Sequence, residues 1–357
     1  MNLVPQFRRE RCVRYRYRYS ACDRCREACP HGAVSLSDEG AAIDPALCQN
    51  CALCAAACPA EAWNAEALPR IEILKQTLGR AAFSFACTPS QEEGDARVPC
   101  LGALDASILA YLAGRGISVE LKGGGHCGDC PQGAKGAAML GLALEGLAQL
   151  RESLGNEGWP SLLLTEKEGR GEGDGQPVDT ARRQLFRRFA GHAFTGTEQD
   201  PAPHKAIRIA APLSTVRREL IQAIWPTEIE GEIPLENSLP LAEVRLGPGC
   251  NACEACARVC PTGALAIREN QLRWELRFQF NRCVACGVCL EACQPDALSF
   301  AEKAPLALGR GGKEGMPLRA LDKRRCSRCD RLFITLGREQ LCPTCDGDAQ
   351  DMASIFG

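Results

Sequence analysis

The sequence has few aromatic residues, almost no net charge and no long apolar run. Aromatics make up 5% of its 357 residues, against a hydrophobic share of 45%. Apolar cores are possible, but small segments poor in rings need another crosslink, such as a bound metal centre. No run of about 18 apolar residues occurs, so no transmembrane helix is predicted. The most apolar stretch, 136–150, contains Glu145 and reads as a buried amphipathic helix. No apolar region follows Met1 to Arg9, so neither a signal peptide nor a twin-arginine signal at Arg8 and Arg9 is expected. There is no P-loop, no G-x-G-x-x-G fingerprint and no nucleophile–base motif. These absences argue against a membrane protein, a nucleotide-dependent enzyme and substrate chemistry of the chain's own. The compartment expected is the cytoplasm, where thiolates stay reduced.

What the chain does have is 24 cysteines, and they divide into six groups of four with none left over. Cys48 to Cys58 reads C-x2-C-x2-C-x3-C-P, and so does Cys250 to Cys260. Cys12/Cys22/Cys25/Cys29 and Cys283/Cys286/Cys289/Cys293 are variants of the same motif. C-x2-C spacings bunched before proline make poor disulfide frameworks and good metal frameworks. Zinc uses two separate knuckles rather than three close ligands and a remote fourth. The pattern is similar to that of bacterial two-cluster ferredoxins, present here as two pairs. Strand-like runs at Ala33 to Leu36 and Leu272 to Leu276 lie between the motifs, where that fold has hairpins.

Spacing also assigns ligands. Three close cysteines wrap one cubane, and the fourth, before proline, reaches the neighbouring one. One four-iron cluster therefore takes Cys48, Cys51, Cys54 and Cys29, and its neighbour takes Cys12, Cys22, Cys25 and Cys58. In the second pair the sets are Cys250, Cys253, Cys256 with Cys293, and Cys283, Cys286, Cys289 with Cys260. Two departures stand out: nine residues separate Cys12 from Cys22, and Gln294 separates Cys293 from Pro295. Neither removes a ligand.

Between the pairs, Ala81 to Ala86 reads as a strand ending at Cys87. A helix with Leu104, Ile108 and Leu112 follows Cys100. A second strand, Ile117 to Leu121, leads into Gly123 to Cys130. A long helix with Leu140, Leu144, Leu147 and Leu154 precedes a strand at Leu162 to Leu164. This βαβαβ order predicts a parallel sheet with covering helices and a site at the carboxyl ends of its strands. The fold class is thus a multidomain α+β and α/β chain. Val98 to Gly102 and Gly125 to Cys130 hold three of the four cysteines here, and with Cys87 the spacing is C-x12-C-x26-C-x2-C. This segment, about a quarter of the chain, resembles the iron–sulfur delta subunit of methyl-viologen-reducing hydrogenases, which links a hydrogenase to heterodisulfide reductase. The spacing is also near that of thioredoxin-like ferredoxins. Both resemblances imply a two-iron cluster on Cys87, Cys100, Cys127 and Cys130; a structural zinc is the alternative. His126 reads as a loop histidine, with tuning of the cluster as the sharper option.

Cys326, Cys329, Cys342 and Cys345 form two knuckles at zinc-ribbon spacing around a hairpin at Phe333 and Ile334, with a rubredoxin-like iron site as the alternative. The domains expected are 1–69 and 244–304 as ferredoxin-like modules, 70–165 as the α/β unit, 166–243 as a linker with helices, and 305–357 as a linker and zinc ribbon. Glu166 to Gln176 and Leu308 to Gly315 are the Gly-rich linkers. Helical patterns appear at Arg182 to Ala190, which is basic, and at Val216 to Ile224, with Leu220, Ile221 and Ile224 on one face. Arg14 to Tyr19 alternates with strand period and is either an exposed edge strand or a docking surface.

The formal charge of −2 counts cysteines as neutral. With a centre of about −2 on each cysteine group the total reaches about −14, which disfavours nucleic acid as a partner. The expected cofactors are four four-iron clusters, one two-iron cluster and one zinc. The function expected is electron transfer between redox protein partners, within a hetero-oligomeric complex of hydrogenase, formate dehydrogenase or heterodisulfide reductase type. The alternative is a redox sensor or an assembly factor for a metalloenzyme, which the knuckles and basic patches would suit.

Overall fold

A computed structural model describes residues 4–155, 158–165, 206–235, 239–312, 314–337 and 339–356. The linker at Glu166 to Gln176 and the basic helix at Arg182 to Ala190 lie outside the described residues. Strand β1 (Gln6–Phe7), helix α1 (Val13–Arg16), helix α2 (Arg24–Glu27), the hairpin β2 (Val34–Ser37) and β3 (Gly40–Ile43), helix α3 (Leu53–Ala57) and strand β4 (Trp63–Asn64) follow in turn. β1 pairs antiparallel with β4 and closes this unit end to end. Phe7 packs against Trp63 across that pair in a tilted arrangement, ring centroids 4.8 Å apart.

Helix α4 (Arg70–Gln76) leads into β5 (Ala82–Cys87), β6 (Ala96–Val98), α5 (Ala106–Gly114), β7 (Ser118–Lys122), α6 (Gly133–Ser153) and β8 (Leu163–Thr165). The sheet order is β6-β5-β7-β8, and every pairing is parallel. The βαβαβ expectation thus gains a strand, β6, whose three residues are too short for a periodicity signal. Phe83, Phe85, Leu109, Leu112 and Leu121 fill the core, continuous with Leu53 and Trp63 of the first unit.

Helix α7 (Val216–Ile224) begins at Thr215, whose side chain accepts from the Arg218 N–H as an N-cap. Then come β9 (Glu232–Pro234), β10 (Val244–Leu246), α8 (Ala255–Val259), β11 (Leu265–Glu269), β12 (Arg273–Phe278), α9 (Val288–Glu291), β13 (Leu298–Phe300), β14 (Lys303–Pro305), β15 (Met316–Arg325), β16 (Leu332–Ile334) and α10 (Pro343–Phe356). β11, β12, β15 and β16 form one antiparallel sheet. The C-terminal hairpin therefore extends the sheet of the second ferredoxin-like unit.

Two expectations are corrected. Leu308 to Gly315 is not a free linker: Leu306–Arg310 is a 3-10 turn, and a Cβ on Gly309 would lie 2.1 Å from Trp225 Cε2. Arg14 to Tyr19 is neither an edge strand nor a free charged face. Val13–Arg16 is helical, and Tyr17 makes one isolated bridge to Ile207. Arg14 donates to Ser37 O and Cys22 O, and Arg18 pairs with Asp38 at 2.9 Å. The alternation fails because the buried Arg16 turns inward to the carbonyls of Ala210 and Ala211.

Candidate functional site: six cysteine groups

The loops that carry the cysteines wrap tightly. In three motifs, residues just before and just after the second cysteine take positive φ: Asn50 and Ala52, Ala252 and Glu254, Ala285 and Gly287. Five of these six are not glycine, and such strain persists only where the surroundings demand it. The first motif has no such turn, because Cys12 caps α1 instead of opening the same loop as Cys22.

The structure brings each predicted group together. Cys29, Cys48, Cys51 and Cys54 line a cavity of about 300 Å³. Cys250, Cys253, Cys256 and Cys293 line one of about 340 Å³. Cys260, Cys283, Cys286 and Cys289 line one of about 310 Å³. Cys12, Cys22, Cys25 and Cys58 lie within electrostatic reach of one another. Cys87, Cys100, Cys127 and Cys130 line a cavity of about 320 Å³ at the carboxyl ends of β5 and β7, beside the N-terminus of α6. His126 is in its wall. Cys326, Cys329, Cys342 and Cys345 differ: their Sγ atoms all lie within 4.8 Å of one another.

The electrostatics fit metal centres. Burial, reinforced by neighbouring thiolates, pushes Cys100 and Cys256 up to about 12. Burial pushes Cys25 to about 12 and Cys51 to about 11, with hydrogen bonds from Trp63 and the Leu53 N–H opposing the respective rises. Four thiolates crowded out of water are not stable alone; a bound cationic centre removes that penalty. Backbone N–H groups already point at sulfur: Ala33 to Cys29, Ala62 to Cys58 and Ala297 to Cys293, at 3.3–3.4 Å. Cys260 has the Thr262 hydroxyl at 3.7 Å instead. In the C-terminal group the Cys342 N–H does the most to bring Cys326 down to about 6. Its Cys329–Cys342 Sγ separation is 3.8 Å. That matches the edge of a tetrahedron with metal–sulfur bonds of about 2.3 Å.

Glycines fix the α/β site. A Cβ on Gly136 would lie 2.7 Å from Cys100 Sγ, and one on Gly102 would lie 2.2 Å from Gly136 O. The start of α6 therefore presses directly on the Cys100 loop.

Sequence reasoning missed the arginines. Arg16, Arg217 and Arg218 are buried. Arg217 Nη2 donates to Ala55 O and Ala56 O at 2.9 and 2.6 Å. Arg218 donates to Phe280 O and Asn281 O at 2.7 and 3.0 Å. One signal existed: Arg217 falls at helical spacing on the same face as Leu220, Ile221 and Ile224. Nothing local marks Arg16, whose partners Ala210, Ala211 and Cys260 are remote in sequence.

The groups also lie side by side. Cys100 feels the charge of Cys51, and Cys54 that of Cys25. Cys22 and Cys286 pack against one small apolar cluster of Val13, Val259, Val288 and Ala292. Cys289 feels Cys256. Among the described residues, no helix is long and apolar enough to cross a membrane.

Comparison with known proteins agrees with this arrangement. Residues 19–62 and 249–297 match the 4Fe–4S dicluster domain. NADH-quinone oxidoreductase subunit I of Pelobacter propionicus is 27% identical over 105 residues, which cover 26% of this chain and 55% of that protein. A second form of this subunit, from Geobacter metallireducens, is 31% identical over 64 residues, covering 16% and 49%. The NAD(P)H-quinone oxidoreductase subunit I of Gloeobacter violaceus is 32% identical over 69 residues, covering 17% and 32%. The chain spans about half the length, or less, of these relatives. It carries 4Fe–4S dicluster domains at two places and is related, over part of its length, to subunit I of NADH-quinone oxidoreductases.

Proposed function

We propose that the chain is an iron–sulfur electron relay that joins two redox partners within a larger oxidoreductase complex in the cytoplasm. The observation that carries this is the single file of cysteine groups: Cys87, Cys48, Cys12, Cys283, Cys250, each named by one member. Four-iron clusters in the last four groups and a two-iron cluster in the Cys87 group would supply reversible one-electron uptake when bound. The protein's own part is to hold the thiolates, exclude water and leave the ends accessible. Cys51, Cys54, Cys260, Cys283 and Cys289 are buried. At one end Cys253 is exposed, and at the other Gly128 and Asp129 are exposed between half-buried Cys127 and Cys130. Partners would exchange electrons at these ends.

The spread of the thiols supports the choice of centre. Cys87, Cys100, Cys127 and Cys130 line a shared cavity, as the thiols of the dicluster domains do, without closing to the separations of the C-terminal group. That favours a cluster over a single zinc ion. The C-terminal thiols have closed to single-ion distances, which favours zinc there. The likeness to an oxidoreductase subunit supports a place in a multisubunit assembly.

Anaerobic metal analysis with EPR tests the reading. Roughly eighteen iron and one zinc per chain are expected. A value near eight iron, or a Cys87 group loaded with zinc alone, overturns it.

A further inference from the structure

Arg16, Arg217 and Arg218 are the buried arginines among the described residues, and all three reach the middle of the row. Arg217 is matched by Asp105, Nε to Oδ2 3.1 Å. The other two have no such match: among the described residues no carboxylate forms an ion pair with either. Arg218 is 4% exposed, lies over the Phe280 ring and leaves Nη1 without a hydrogen-bond partner. Its other nitrogens hold the carbonyls just before Cys283. Arg16 is 1% exposed and spends its donors on the carbonyls of Glu10, Ala210, Ala211 and Cys260.

A guanidinium cannot shed its charge in a protein. A buried charge without a counter-charge is strongly destabilising. The thiolates that face Arg218 and Arg16 belong to one group: Cys283 for the former, Cys260 and Cys286 for the latter, with the Glu10 carboxylate a weaker anion near Arg16. Among the described residues no buried arginine reaches the Cys250 group, whose cavity wall holds Glu254.

We propose that Arg16 and Arg218 are the counter-charges of the Cys260/Cys283/Cys286/Cys289 group and make it the most easily reduced of the four-iron sites. The inference rests on the reading that this group holds a four-iron cluster. Reduction adds one electron and no proton, so the site gains negative charge beside two fixed cations in a dry interior. That stabilises the reduced form more than the oxidised one. An electron entering from either end would settle there, one place in from the Cys250 end, and would leave when a partner draws it off. The arginines are positioning residues for charge; neither needs to touch iron or sulfide.

The test is an EPR-monitored redox titration of the full-length, anaerobically loaded protein, with dithionite as electron donor. In Arg218→Gln one four-iron wave should become at least tenfold harder to reduce, a 59 mV shift for a one-electron couple. The other waves should stay in place, and Arg218→Lys should restore most of the shift. Cys289→Ser identifies the group, because the wave it alters must be the highest of the wild-type four-iron waves. The proposal is overturned if Arg218→Gln moves no wave by that much, or moves one that Cys289→Ser leaves intact. If Arg218→Gln does not load, the Cys289→Ser assignment decides alone, and a wave that is not the highest overturns it. A wild-type protein with fewer than four four-iron signals instead overturns the cluster reading beneath it.

Discussion

Arg217 and Asp105 form an ion pair with both side chains nearly out of water, and it ties α7 to the start of α5. Asp105 is in double use. Its carboxylate caps α5 through the Ser107 N–H and also faces Arg70, Nη2 to Oδ2 3.2 Å. Burial would raise this carboxyl, but Arg217 and Arg70 outweigh it and hold it below the usual range.

Asp105→Asn should therefore destabilise the protein by about 3–5 kcal/mol, because the buried Arg217 loses its counter-charge, while Arg70 keeps Glu61. Denaturant unfolding followed by circular dichroism measures this. A change within about 0.5 kcal/mol, as for an ordinary surface site, would show the pair to be ornamental.

Gly136→Ala tests the Cys87 group. The added methyl has no room between α6 and Cys100 Sγ, at 2.7 Å. The variant should lose the two-iron EPR signal or carry it altered, keep its four-iron signals, and cost about 1–3 kcal/mol through overpacking. An unchanged two-iron spectrum would mean that Cys100 is not a ligand there.

The crosswise ligation that the spacing predicts has an asymmetric consequence. Cys58 belongs by sequence to the Cys48 motif but lies within reach of Cys22, and Cys25 within reach of Cys58. Cys58→Ser and Cys12→Ser should damage the same four-iron signal, while Cys29→Ser damages a different one. Matching spectra for Cys58→Ser and Cys29→Ser would reverse the assignment.

The C-terminal knuckles carry a pH signature once stripped of metal. The Cys342 N–H, with help from the Cys329 and Arg328 N–H groups, holds Cys326 down to about 6, while burial pushes Cys345 up to about 12. A free thiol titrates at about 8.5. The Cys326 thiolate therefore stabilises this segment fully above about 8.5 and loses that contribution as pH falls through the folded value. Alkylation of the chelated protein, read by mass spectrometry, should label Cys326 with a midpoint near pH 6 and spare Cys345. Equal labelling of both near pH 8.5 would show that the loop does not keep its shape without metal.

How much of this was legible in the sequence depends on range. C-x2-C spacing is a local signal, and thiols that share a loop end up facing one cavity. Leu220, Ile221 and Ile224 marked α7 for the same reason. Arg16 was misread because alternation reports which side chains share a face, not what waits on the other side. Its partners Ala210 and Cys260 lie 194 and 244 residues away. The pairing of β15 with β12 was hidden by a glycine-rich stretch that looks like a spacer, although Gly309 packs against Trp225 and Gly315 against Phe278.

The 244-residue gap between Arg16 and Cys260 also sets a clock. While the chain is being synthesised, the first ferredoxin-like unit emerges long before the carbonyls that Arg16 must reach. Contacts of such separation form late. The nascent N-terminal unit therefore waits with a charged group facing an unfinished interior, and its closure reports that the second unit has arrived.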